Sequence, residues 1–217
     1  MQNVLASAVW VSLYVSASAT CISAAIGIPI ACRLSMTSFR GKRIVMGALN
    51  TLLAVPTVVV GLLVYSMLCR RSLFGDLGLL YTPGAMIIGQ ALLALPLMTV
   101  FAHTALAGVD RTAVETARML GARRQGLVRM MIVEARLGIL AAIAAAFGRL
   151  IGEVGVSMIV GGNIAGYTRT MTTSIALETS KGEFSQGLLL GGILLAVALT
   201  VNIVLQFLRS PATKRGS

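Results

Sequence analysis

The chain has 217 residues, 57% of them hydrophobic and only 12% charged, with a mean hydropathy of +0.90. A soluble domain carries about a quarter charged residues, so this composition excludes an ordinary globular enzyme and reads as an integral membrane protein of one multi-span domain. The net charge of +11 sits in loops, and the 5% aromatic residues are not interleaved with basic runs, which excludes nucleic acid as a partner.

No Asp, Glu, Lys or Arg occurs from Met1 to Cys32. A first span is predicted over 4–31, with Pro29 near its end. The run lacks a basic leading segment and a cleavage site, so it reads as a span and not as a signal peptide. Further apolar runs predict spans over 44–68, 84–107, 137–160 and 186–208. Each exceeds the roughly 20 residues that a helix needs to cross a bilayer. Period-2 alternation is absent, so helices and not a barrel satisfy the backbone in lipid. The expected fold is all-α, with about five transmembrane helices. Small residues such as Ser16 to Thr20 and Ala141 to Ala146 suit close helix packing.

Positive charge orients these spans. Arg33, Arg40, Lys42 and Arg43 follow the first, Arg111, Arg118, Arg123, Arg124, Arg129 and Arg136 follow the third, and Arg209, Lys214 and Arg215 follow the last. The alternate loops hold only Arg70, Arg71, Arg169 and Lys181. The positive-inside rule places the richer set in the cytoplasm, with the N-terminus out and the C-terminus in. Residues 209–217 read as a disordered cytoplasmic tail.

The loop 110–136 contains its own small element. Asp110 is a suitable cap for a helix over 111–120. Val114, Ala117 and Leu120 can line one side of that helix, and Gly121 suits a left-handed C-terminal cap. Two readings stay open on physics alone: a docking element, or a surface helix resting on lipid headgroups.

Inside the fourth run, Arg149 and Glu153 are four apart and would share a helical face. Arg149 lies about 13 residues beyond the loop, roughly 20 Å along a helix and near the midplane. A charge there is costly unless paired or hydrated. The two form either a neutralising pair that fixes packing or a weakly binding cation on an anion pathway. Gly161, Gly162 and Asn163 interrupt the outer end of the run. Thr168, Thr172 and Thr173 follow with hydroxyl donors, which suits either a pathway-lining segment or an ordinary external turn. His103 reads as a packed polar residue, and Cys21, Cys32 and Cys69 as small packing residues. Neither a metal site nor a disulfide framework is indicated.

The stretch Glu115-Thr116-Ala117, followed by Gly121, resembles the EAA loop of the membrane subunits of bacterial ABC importers, whose pattern is E-A-A-x3-G-x9-I-x-L-P. Met131, Val133 and Glu134 depart from its last part. Ile22 to Leu34, with Gly27-Ile28-Pro29, looks like the first core helix of molybdate-type permeases. The runs Gly152 to Ile164, Tyr167 to Thr173, Leu177-Glu178-Thr179 and Glu134-Ala135-Arg136 look like the tungstate branch. This resemblance implies a type I ABC importer permease core over 1–208 in the bacterial inner membrane. It implies that loop residues Glu115, Thr116, Ala117, Gly121, Arg123 and Arg124 couple to an ATPase. Arg149, Glu153, Gly161, Gly162, Asn163, Thr168, Thr172 and Thr173 become candidates for the translocation path. The partners implied are a second copy of the chain, two cytoplasmic ATP-binding subunits, an extracytoplasmic binding protein and membrane lipid. No cofactor is expected in the chain itself, ATP and magnesium belonging to the ATPase. No P-loop G-x-x-x-x-G-K-[ST] is present, which fits a transport subunit without its own ATPase site. The cargo implied is an oxyanion, tungstate before molybdate or sulfate. A membrane enzyme acting on lipid headgroups is the competing class, but it would need acidic or histidine clusters that Asp76, Asp110 and Glu115 do not supply. A stand-alone channel would transport without any ATPase.

Overall fold

A computed structural model describes residues 2–70, 72 and 74–209. Arg71 and the tail 210–217, which enter the expectations above, lie outside the described residues. The described residues form ten α-helices, with no strand among them.

Helix α1 (Gln2–Met36) is 35 residues long and continues through Pro29. Its longest partner surface is α4 (Pro83–Ala107). The contact is close because α1 turns small residues toward it. Ser16, Ala19, Thr20 and Ser23 are all buried. Ser23 donates to Ala19 O at 2.8 Å and reaches across to Ala91 O at 3.1 Å. At Gly27 a Cβ would sit only 3.0 Å from Met98 Cγ. Lipid provides no hydrophobic drive between helices, so this backbone proximity and the interhelical hydrogen bond hold them together. Thr82 caps α4, accepting from Ala85 N, and Pro83 occupies the first turn, where its missing N–H costs nothing.

The run 44–68, expected as one span, is not one continuous helix. It divides into α2 (Lys42–Leu52) and α3 (Thr57–Leu68), bent by 97°. Pro56 stands at the start of α3 with φ −60° and ψ 130°. It removes a backbone donor and disfavours helix at the residue before it, so α2 cannot run on into α3.

The run 137–160 also breaks. α6 (Arg124–Glu134) and α7 (Arg136–Ile151) meet at Ala135 with a bend of 67°. α7 then ends at Gly152, and a separate short helix, α8 (Gly155–Gly161), follows. α8 lies against α3 and α4. A Cβ at Gly89 would meet Val156 Cγ1 at 2.5 Å, so α8 reaches this depth only over a residue without a side chain. Beyond it come α9 (Met171–Ser180) and α10 (Phe184–Arg209), which pack on each other.

Among the described residues three helices are long and apolar enough to cross a membrane, α1, α4 and α10, and the number rises to five if each bent pair counts as one span. Two apolar clusters hold the bundle at opposite ends. One joins Val11, Val15, Val64, Leu68, Met86, Val156 and Val160. The other joins Ala31, Cys32, Ala102, Leu106, Met131 and Ile139 beneath the loop 110–136. Most of α10 is left bare, with Leu188, Leu195 and Leu199 turned outward.

Candidate functional site

The loop after α4 forms the helix that its sequence predicts, here α5 (Arg111–Met119). Asp110 Oδ1 accepts from Thr112 N at 2.9 Å, a cap of about 1 kcal/mol. At the other end Leu120 closes the helix and Gly121 takes φ +80°. Ala122 N donates to Ala117 O and Gly121 N to Arg118 O, both at 3.0 Å. This crossed pair of bonds satisfies the last carbonyls and requires the left-handed residue. Val114 and Ala117 turn partly inward, while Glu115 and Thr116 are exposed. Leu120 does not complete the expected inner stripe. It lies past the last helical turn and is 83% exposed, beside Met119 at 90%. Arg123 and Arg124, also exposed, open α6. The turn into α7 is made at buried Ala135, φ −80° and ψ 3°, without a proline.

The second group of candidates surrounds the break between α7 and α8. Arg149 is exposed on the last turn of α7, whereas Glu153 is only 6% exposed. They form no ion pair. Among the described residues the recorded pair is Lys181 Nζ to Glu178 Oε1, at 2.9 Å. The expectation of a shared helical face fails because Gly152 ends the helix between the two residues. Four-residue spacing brings side chains together only on a continuous helix. Glu153 instead turns to the next element, its Oε1 accepting from Val156 N at 3.2 Å in the first turn of α8. A carboxylate there meets free N–H groups and the positive end of the peptide dipoles.

Gly162 (φ +68°) and Asn163 (φ +51°) turn the chain at the end of α8. Thr168 is fully buried; its Oγ1 donates to Gly161 O at 2.5 Å and accepts from Ile164 N at 3.0 Å. Arg169 grips Asn163 twice, Nε to Oδ1 at 3.1 Å and Nη2 to O at 3.2 Å. Thr170 and Thr173 then form a reciprocal cap on α9. Thr172 Oγ1 donates to Glu153 O at 2.9 Å, tying α9 to the α7–α8 break. Thr168, Thr172 and Thr173 are thus brought together with Glu153 and Gly161, but their hydroxyls bond within the chain. Gly162 is held under Tyr81, whose ring a Cβ there would approach to 2.7 Å.

Two further participants, Ser12 and Gln90, were not singled out from sequence. Ser12 Oγ accepts from Met171 N at 2.8 Å, fastening α1 to the start of α9. Gln90 Nε2 donates to Ser157 Oγ at 3.3 Å between α4 and α8. Their partners are 159 and 67 residues away in the chain, and the only local signal was their polarity inside apolar runs. Among the described residues no cluster of His, Cys, Asp or Glu could hold a metal ion.

The family model for the binding-protein-dependent transport system inner membrane component matches residues 23–214. The chain belongs to this family and is a multi-pass membrane permease of the ABC type. It is 42% identical over 203 residues to a probable anion ABC transporter permease protein of Haloferax volcanii, covering 91% of this chain and 88% of that one. It is 38% identical to the tungstate uptake system permease protein of Peptoclostridium acidaminophilum, covering 93% and 88%. Against the molybdenum transport system permease protein of Escherichia coli K12 the identity is 32%, with 81% of each chain covered. The fold matches the inward-facing MetNI methionine ABC transporter with a TM-score of 0.73 at 18% identity, covering 95% of this chain and 93% of that one.

Proposed function

We propose that the chain is the permease subunit of an ATP-driven importer whose cargo is tungstate. One observation carries the cargo: identity is 38% and 39% to two tungstate permeases, against 32% to a molybdenum permease and 23% to a sulfate permease. Two copies of the chain enclose the path, the N-terminus lies outside, and the loop 110–136 faces the cytoplasm. ATP and magnesium are bound by two separate ATPase subunits, and an extracytoplasmic binding protein delivers the anion. The rigid caps of α5 and the bare pair Met119 and Leu120 at its tip support docking of this helix on the ATPase. A motion of the ATPase pair then moves α5 as a body and shifts the bundle between its two open states. The cycle runs because nucleotide and loaded binding protein each favour one of those states.

The test is copurification of the chain with its ATPase, followed by uptake into vesicles that contain both and receive the loaded binding protein. Tungstate uptake that depends on ATP and survives excess sulfate is expected. ATP-dependent uptake of molybdate in preference to tungstate would replace the cargo. Uptake without any ATPase would overturn the importer reading.

A further inference from the structure

Beneath α5 lies a cleft of about 290 Å³, walled by the ends of α1 and α4, the start of α2, and α5 and α6. Three buried side-chain polar atoms among the described residues lack a hydrogen-bond partner within the protein: Ser35 Oγ, Gln90 Oε1 and His103 Nε2. Ser35 and His103 both line this cleft. Buried polar atoms are nearly always satisfied, so two lining one cleft call for a group that fills the space. Lys42, Glu115 and Arg118 also line it, and none of them takes part in the recorded ion pair.

These groups select a class of ligand. The Ser35 hydroxyl, the Lys42 ammonium and the Arg118 guanidinium are donors from three helices, and the His103 imidazole, from a fourth, adds a donor when Nε2 carries the ring proton. With a single carboxylate opposing them, the side chains of Lys42, Arg118 and Glu115 leave one net positive charge. Arginine and lysine donors bond charged oxygens more strongly than neutral ones. The volume is at the lower limit of small-molecule sites, about 300–1,000 Å³, which suits a compact oxyanion group and not a bulky organic ligand. The rest of the lining includes the apolar side chains of Met36, Leu106 and Val114.

We infer that this cleft is a binding site for a tetrahedral oxyanion, separate from the candidate cargo path at the α7–α8 break. Glu115 is the opposing charge that keeps the affinity moderate. An anion held there bridges α5 to α1, α2 and α4, and so restrains the coupling helix against the bundle. Its chemical class does not depend on the cargo proposed above. The oxyanion is either a free ion or the phosphate of a lipid headgroup, which have the same donor requirements.

The experiment uses the full chain in complex with its ATPase, in a neutral detergent and without the binding protein. Equilibrium dialysis with inorganic phosphate and with tungstate measures saturable binding. Lys42→Gln and Arg118→Gln are each expected to weaken it at least tenfold, and Glu115→Gln to tighten it. Arg129→Gln, outside the cleft, is the control and leaves it unchanged. Ser35→Ala, which removes one hydroxyl from a helix end, separates loss of a donor from loss of fold and is expected to weaken binding with the complex intact on size exclusion. In nanodiscs, competition of phosphate by anionic but not zwitterionic lipid would assign the site to headgroups, and no competition would assign it to the free ion. Absence of saturable binding, or an unchanged affinity in both cation variants, overturns the inference. Tungstate uptake with no cleft binding would sink this site alone. Cleft binding with no tungstate uptake would sink the proposed cargo alone.

Discussion

Gly121 offers a graded test of the coupling helix. Its φ of +80° is left-handed, and a Cβ placed on it meets nothing within 4 Å. A substitution there therefore acts on backbone conformation and not on packing. An L-residue in the left-handed region costs about 1–2 kcal/mol, less for asparagine, and a β-branched residue more. α5 has nine residues, short of the roughly 12–15 that an isolated helix needs even to be marginal in water. Its own helical stability is therefore small, and the cap energy matters, since 1.4 kcal/mol is about a factor of ten in an equilibrium. Expected transport per ATP hydrolysed falls in the order Gly, Asn, Ala, Val, with Gly121→Asn within about threefold of the parent and Gly121→Val down at least tenfold. The assay is uptake and phosphate release measured together in proteoliposomes, with membrane insertion checked by yield. Equal coupling for Gly121→Asn and Gly121→Val would refute the argument that the left-handed cap holds the helix.

A double-mutant cycle on Arg149→Ala and Glu153→Ala, read by thermal stability, is expected to be additive within about 0.5 kcal/mol, because the two groups form no ion pair; a larger coupling would restore the pair. Thr168→Val keeps the shape but strands the buried Gly161 carbonyl, while water can reach Ile164 N at an exposed residue. A loss of about 1–3 kcal/mol is expected, a Tm drop of at least about 2 °C at this chain length, and an unchanged Tm would show that the turn is not held by that hydroxyl.

The elements with local causes were legible in the sequence. Apolar runs without charge marked α1, α4 and α10, because the cost of charge in lipid acts on every residue in turn. Asp110 and Gly121 marked both ends of α5, because capping involves atoms within one helical turn. The breaks were harder to read. Pro56 and Gly152 were visible as residues, but apolarity around them continued, and hydropathy does not distinguish one long helix from two bent ones. The bend at Ala135 left no proline to betray it.

The sequence by itself determined that the chain is a helical membrane permease with a capped helix between its third and fourth apolar runs. Composition and local capping act residue by residue and survive any rearrangement of the spans. The tertiary structure alone decided what Glu153, Thr168 and Ser12 do. Glu153 caps α8 and does not pair with Arg149, since the helix that would have joined them ends at Gly152. Ser12 meets Met171 across 159 residues. Such contacts depend on which helices approach closely, and that follows from backbone distances at positions such as Gly27 and Gly89, set by the packing of the whole bundle.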